Sequence, residues 1–273
     1  MKLQFLFIVS ILLLINISCK KKSDPIPNSP SSGNCHIKQV RSGNILRNLE
    51  YKDGKLFRGI INAASGKDIK EYVSEIKYYN DSVIENFIGL SYDLVLGYKI
   101  GSNGKIEYRG TKNVRVATND VPTVFSYDTV YYEYDIDGYL VKEEFISRLI
   151  KDDGSYPERN THTITIYTID NDNVISKTDY RDGLITNTVN YEYYTDLINR
   201  NDKIDVSRNL QGVTLWHEAN GKMNKNLLKK EFAGSSVKEY FYDLDQYGNV
   251  IKQKVSRNGD LATTAIEVVY DCD

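Results

Sequence analysis

Along most of the chain apolar and polar residues alternate with a period of two, in short runs. Val189, Tyr191 and Tyr193 fall on one side of such a run, and Asn190, Glu192 and Tyr194 on the other. Ile164 and Ile166 against Thr163 and Thr165 repeat the pattern. Successive side chains of a strand point to opposite faces, so this period predicts strands that bury one face and wet the other. Between the runs stand Asp or Asn with Gly. The motif reads Tyr51-Lys52-Asp53-Gly54-Lys55-Leu56, Tyr134-Asp135-Ile136-Asp137-Gly138-Tyr139-Leu140 and Tyr242-Asp243-Leu244-Asp245-Gln246-Tyr247-Gly248. Shorter copies occur at Asn103-Gly104, Asp182-Gly183, Asn220-Gly221 and Asn258-Gly259, and degenerate ones at Asn80-Asp81 and Asp170-Asn171-Asp172-Asn173. Gly has no Cβ, and Asn and Asp tolerate positive φ, so these pairs supply the backbone of tight hairpins. Hairpin after hairpin predicts an all-β body, an antiparallel meander forming one large curved, barrel-like sheet. Between Ala64 and Ile76, Ile69, Tyr72, Val73 and Ile76 follow Ser65 at helical spacing; a short helix and an irregular strand connection are both open there.

Composition supports the same class. Tyrosine, with 22 copies among 273 residues, far outnumbers the 8 Phe and 1 Trp, and it favours half-buried pleated surfaces. A hydrophobic share of 41% is ample for a core and excludes wholesale disorder. The 35 basic and 37 acidic residues nearly balance, which leaves no basic face for a phosphate backbone. Nucleic acid is not an expected partner.

The first residues read as an address. Met1-Lys2 precedes an apolar stretch from Leu3 to Ile17 and then Ser18-Cys19. At about 15 residues, that stretch falls short of the roughly 20 needed to span a bilayer as a helix. Residues 1–18 are therefore expected to be a removable leader. Ile15-Asn16-Ile17-Ser18-Cys19 resembles a lipobox, with Asn16 in the place usually held by Leu, and Cys19 is the expected lipid attachment. Residues 19–34, rich in Lys, Ser and Pro, form a flexible tether, and residues 35–273 a single β domain. The expected location is the outer membrane through the lipid anchor, with the periplasmic or surface face undecided. Two cysteines remain, Cys35 and Cys272. In an oxidising compartment such a pair tends to bond, and a structural disulfide is expected; two free thiols are the alternative.

Catalytic chemistry is harder to find. Counting twelve positions from Asp135, Asp170 and Asp243 reaches Ile146, Arg181 and Lys254, so none completes an EF-hand-type calcium loop. His217-Glu218 lacks the second histidine of a zinc-protease helix, since Gly221 stands there. No catalytic, cofactor-binding or metal residue is predicted, and no cofactor. Rows of tyrosine are the one candidate surface: Tyr132, Tyr134, Tyr191, Tyr193, Tyr240 and Tyr242 suit an aromatic platform for a glycan or peptide, or serve as cross-strand packing.

The repeated Tyr-Asp…Gly hairpins resemble the YD repeats of rearrangement-hotspot proteins. More of the chain, from Cys35 to Asp273, is similar to an uncharacterised family of Bacteroidota lipoproteins with a porin-like fold. The likeness is carried by Cys35-His36-Ile37, Tyr134-Asp135…Gly138, Gly221-Lys222-Met223-Asn224-Lys225-Asn226-Leu227-Leu228 and Tyr270-Asp271-Cys272. It implies a fold and an envelope location, and no activity. Polar residues on the exposed strand faces argue for the shape of a porin without insertion into lipid. The expected role is a non-enzymatic binding or interaction protein of the envelope, with a glycan, peptide or protein partner. A glycan-acting hydrolase and a ligand-free scaffold are the alternatives; a pair of buried carboxylates in a cleft would favour the hydrolase.

Overall fold

The computed structural model describes residues 35–65, 68–89, 92–115, 124–151, 161–199 and 221–272. The leader, Cys19, the tether and Trp216-His217-Glu218 lie outside the described residues. Among the described residues sixteen strands follow one another: β1 Cys35–Ser42, β2 Ile45–Lys52, β3 Lys55–Ser65, β4 Asp68–Tyr78, β5 Ser82–Ile88, β6 Tyr92–Ile100, β7 Ile106–Arg115 and β8 Val124–Tyr134. They continue as β9 Leu140–Lys151, β10 Thr161–Asp170, β11 Asn173–Arg181, β12 Leu184–Ile198, β13 Asn226–Ala233, β14 Ser236–Leu244, β15 Val250–Arg257 and β16 Thr263–Cys272. Each pairs antiparallel with its sequence neighbours, and β1 pairs with β16 to close the barrel. Both edges of the meander thereby satisfy their backbone groups. At the seam Cys35 stands opposite Cys272 in register.

The segment with helical spacing is a hairpin. Ala63 faces Lys70, and Ser65 faces Asp68. A helix there would leave β3 and β5 each with one edge unpaired, so the ladder on both sides overrides a weak local period. The turns follow the expected chemistry. Asp53-Gly54 and Asp182-Gly183 have positive φ at both central residues, and so does Asn171-Asp172, which has no glycine. Three copies are built differently from an Asp-Gly pair. Loops 101–105, 135–139 and 245–249 share one frame, each preceded by a register shift in the ladder. In the second, Asp135 Oδ1 accepts the amides of Gly138 and Tyr139 at 2.7 and 2.8 Å. In the third, Asp245 Oδ1 accepts those of Tyr247 and Asn249, both at 2.8 Å. The carboxylate that organises the loop is the one following the strand, and Asp137 makes no such bond.

Paired residues share a face, so one face can be traced round the wall through Val83, Tyr98, Arg109, Val130, Phe145 and Thr163. This is the inner face. Ile37, Val40, Leu49, Leu56, Ile76, Val83, Leu96, Tyr98, Ile106, Ile266 and Val268 lie on it as one buried cluster. Side chains on the wall of so wide a barrel stay wet unless the interior is filled, so this sector is a packed core. Further round, the inner face is polar. Ser147 donates to Asp128, and Thr165 donates to Asp179, which also pairs with Lys177. There the period-two expectation holds but its polarity is reversed: Thr163 and Thr165 point inward, and Ile164 and Ile166 outward.

The outer face carries ion pairs in rows: Glu50–Arg58, Arg41–Glu267–Lys252, Lys230–Glu239, Asp243–Lys254 and Glu133–Lys142–Glu144. At the end of the barrel that bears Cys35 and Cys272, residues 221–226 run across the loops as a strap. Lys222 N donates to Gly138 O, Lys225 N to Asp172 O, and the buried Asn224 side chain accepts Val174 N. A Cβ at Gly221, φ 83°, would stand 2.5 Å from the Tyr134 ring, so only glycine fits there.

Asp135→Ala is expected to lower stability by about 1–3 kcal/mol, the cost of two buried amides losing a charged acceptor, while Asp137→Ala stays within about 0.5 kcal/mol. Urea unfolding of the two variants checks this; equal losses would overturn the loop assignment.

Candidate functional site

The packed core stops short of the far end of the barrel. There the starts of β2, β14 and β16 and the ends of β1 and β15 surround a cavity of about 850 Å³. Alternation along the strands sets its lining. β14 contributes Lys238 and Tyr240, β15 Gln253, Val255 and Arg257, and β2 Ile45 and Arg47, each at every second position. The β15–β16 turn adds Asp260 and Leu261 at the mouth.

The polar groups are held by one another. Glu231 on β13 accepts Lys238 Nζ at 2.6 Å through one oxygen and the Tyr240 hydroxyl at 3.0 Å through the other. Burial first, and the charge of Glu231 second, push the Tyr240 hydroxyl far up from its ordinary range, so it stays a donor. Gln253, only 2% exposed, reaches the Tyr242 hydroxyl at 3.4 Å. Arg257 makes no ion pair among the described residues.

Below the cavity sits a buried carboxyl. Glu85 on β5 is 1% exposed; Ser74 Oγ donates to its Oε1, and its Oε2 has no hydrogen-bond partner. Burial pushes it up to about 7, against the bond from Ser74 and the nearby Arg47 charge, both of which pull it down. Arg47 is lowered by its own burial and partly restored by Glu85. The two residues also line a second cavity of about 10 Å³, closed by Leu49, Leu56 and Ile76, which has room for about one water molecule. Arg47 therefore stands in the wall between the two cavities.

The six tyrosines do not form an outward strip. Tyr240 lines the cavity, Tyr132 packs on the core cluster, and Tyr191 and Tyr242 lie on the inner face by register. Tyr193 donates to Val174 O, and Tyr134 packs against the strap. Arg47, Glu85, Lys238 and Gln253 escaped the sequence reading, though a signal was there. Arg47 has the parity of Ile45 and Leu49, and Glu85 that of Val83 and Phe87, which puts a charge into an apolar series. Among the described residues no group of three or more His, Cys, Asp and Glu could hold a metal ion.

These features define a class: a closed sixteen-strand antiparallel barrel of porin-like fold, with a filled sector and a cavity at one end. The chain is similar in structure to a porin-like protein from Bacteroides uniformis ATCC 8492, with a TM-score of 0.57 and 15% identity over 89% of this chain and 97% of that one. At that identity the likeness is one of fold. No family model matches the chain, and no curated protein matches it.

The Glu85 carboxyl makes stability depend on pH. Its folded value of about 7 exceeds the ordinary 4.5, so between those values the folded chain binds more protons than the unfolded one. The contribution is fully present below about pH 4.5 and is lost as pH rises through about 7, amounting to about 3 kcal/mol in all. Urea midpoints from acid to mildly alkaline pH are expected to fall over this window in the native protein and to fall less in Glu85→Gln. Parallel profiles would refute the assignment.

Proposed function

We propose that this chain is a lipid-anchored protein of the outer membrane whose barrel is a water-exposed binding body, holding a small polar ligand in its lumen without catalysis. The observation that carries this reading is the cavity of about 850 Å³, half lined by charged and hydrogen-bonding groups, within the size range of small-molecule sites.

The ion-paired outer face supports a body standing in water. A lysine or arginine facing lipid at mid-bilayer costs about 2–4 kcal/mol, and Arg41, Arg58, Lys142, Lys230, Lys252 and Lys254 are all on that face. The core cluster fills one sector of the lumen beside the cavity, which favours a binding body over an open channel. Glycan hydrolysis calls for two carboxylates facing each other across the bond; among the described residues only Asp260 lines the cavity, while Glu231 is engaged by Lys238 and Tyr240. The anchor follows from Cys19, and a clasp between Cys35 and Cys272 is supported by their opposed places at the seam.

A thermal-shift screen of sugars, sugar acids and short peptides against the purified protein tests the binding role. A ligand at a hundred times its dissociation constant stabilises by about 2.7 kcal/mol. The expected hit raises the unfolding temperature of the native protein and not of Thr263→Trp, which fills the cavity from its rim; hits that ignore that substitution, or a screen with none, would sink the reading. The address is checked separately by non-reducing intact-mass measurement of membrane-extracted protein. It should show acyl chains on Cys19 and a mass two hydrogens short, and an unacylated chain would refute the anchor.

A further inference from the structure

We propose that the lumen cavity takes a small organic acid and takes it up together with one proton, because the guanidinium of Arg47 is shared between the cavity and the buried carboxyl of Glu85. The inference rests on the lumen being a binding site, as proposed above, and adds the ligand class and its regulation.

The charges count as follows. Arg47, Lys238 and Arg257 line the cavity as cations and Asp260 as an anion. Behind them, Glu231 holds Lys238, and Glu85 faces Arg47 across the small cavity. Among the described residues, with Glu85 ionised, three cations meet three carboxylates and the charges balance. Once Glu85 takes a proton from solvent, one positive charge is in excess, and it lies on Arg47. A ligand carboxylate that reaches Arg47 neutralises that excess. Arg is suited to this, since its planar fork binds carboxylates in pairs of hydrogen bonds.

The surroundings of Glu85 leave Arg47 as its charged neighbour. From β4 it meets Ser74 and Ile76, from β3 Leu56, Gly59 and Ile61, from β2 Leu49 beside Arg47, and from β6 its ladder partner Leu96. Ligand carboxylate and Glu85 carboxylate thus compete for one guanidinium. The ligand raises the proton affinity of Glu85, and by reciprocity the proton raises the affinity for ligand. With a free value of about 7, the exchange falls within the range where small changes of pH alter its charge.

Titration calorimetry with D-glucuronate, D-glucose and inorganic sulfate on the native barrel tests this, at about pH 5.5, about pH 7 and about pH 8.5 and in buffers of different ionisation heat. Glucuronate stays ionised throughout that range and differs from glucose by its carboxylate. Glucuronate is expected to bind roughly tenfold more tightly at the lower pH, within the 5–150-fold span of ordinary site coupling, with net proton uptake near neutrality. Glucose should bind more weakly at both. Arg47→Met should remove the preference for glucuronate, and Glu85→Gln should bind it equally at both pH values. If a buried variant does not fold, proton uptake by the native protein decides the matter alone. Equal, pH-insensitive binding of glucuronate and glucose overturns the coupling and leaves lumen binding intact. Sulfate binding as tightly as glucuronate overturns the organic-acid class. No binding of any probe, in a protein that still captures a neutral compound in the thermal screen, overturns the inference; silence in both experiments removes the underlying reading as well.

Discussion

The pairing of β1 with β16 is the interaction on which the rest depends. A sixteen-strand meander left open would end in two rows of unpaired amides and carbonyls, and its inner face would be wet. Closure satisfies both rows and makes one face of every strand an interior. It also brings Cys35 and Cys272, 237 positions apart in the chain, to adjacent places on the wall. Core, cavity and buried carboxyl exist only because the ring is complete.

Inside the ring the lining differs from sector to sector, and the difference decides what the protein can do. Strands β1 to β7 with β16 fill their sector with Ile, Val, Leu and Tyr. From β8 to β11 the inner wall carries Asp128, Ser147, Thr165, Lys177 and Asp179, bonded among themselves. The cavity forms where β14 to β16 meet β1 and β2, at the border of the packed sector. Glu85 sits just inside that border, near enough to Arg47 to feel its charge and almost wholly out of reach of bulk solvent. Burial is the larger effect and its carboxyl rises; Ser74 and Arg47 restrain the rise without cancelling it.

The end bearing Cys35 and Cys272 is organised by main-chain hydrogen bonding. The carboxylates of Asp135 and Asp245 hold their loops, and the strap from Gly221 to Asn226 docks on loop 135–139 and turn 171–172 through Lys222 N, Lys225 N and the Asn224 amide oxygen. Lys222 and Lys225 also reach Asp172, whose carboxylate accepts the Tyr139 hydroxyl at 2.8 Å. Close approach explains the glycine at 221 and the asparagine at 224: one has no side chain to clash, and the other presents an acceptor to a buried amide. This end is held together by main-chain bonds, and the cavity lies at the other.

Local sequence determined the strands, their period and their turns, because alternation and positive-φ residues act over two to six positions and need nothing distant. Asp53-Gly54 and Asp182-Gly183 are legible for that reason. The same information left 64–76 ambiguous, since a local period cannot weigh the ladders waiting on both sides. It also left open which parity faces inward at β10, where threonine and isoleucine exchange their expected sides. Only the tertiary structure decided that the sheet closes, that Arg47 serves two cavities and that Glu85 is buried beside it. Those are contacts between strands far apart in the chain, set by register round the ring, and no short-range pattern encodes the distance between two walls.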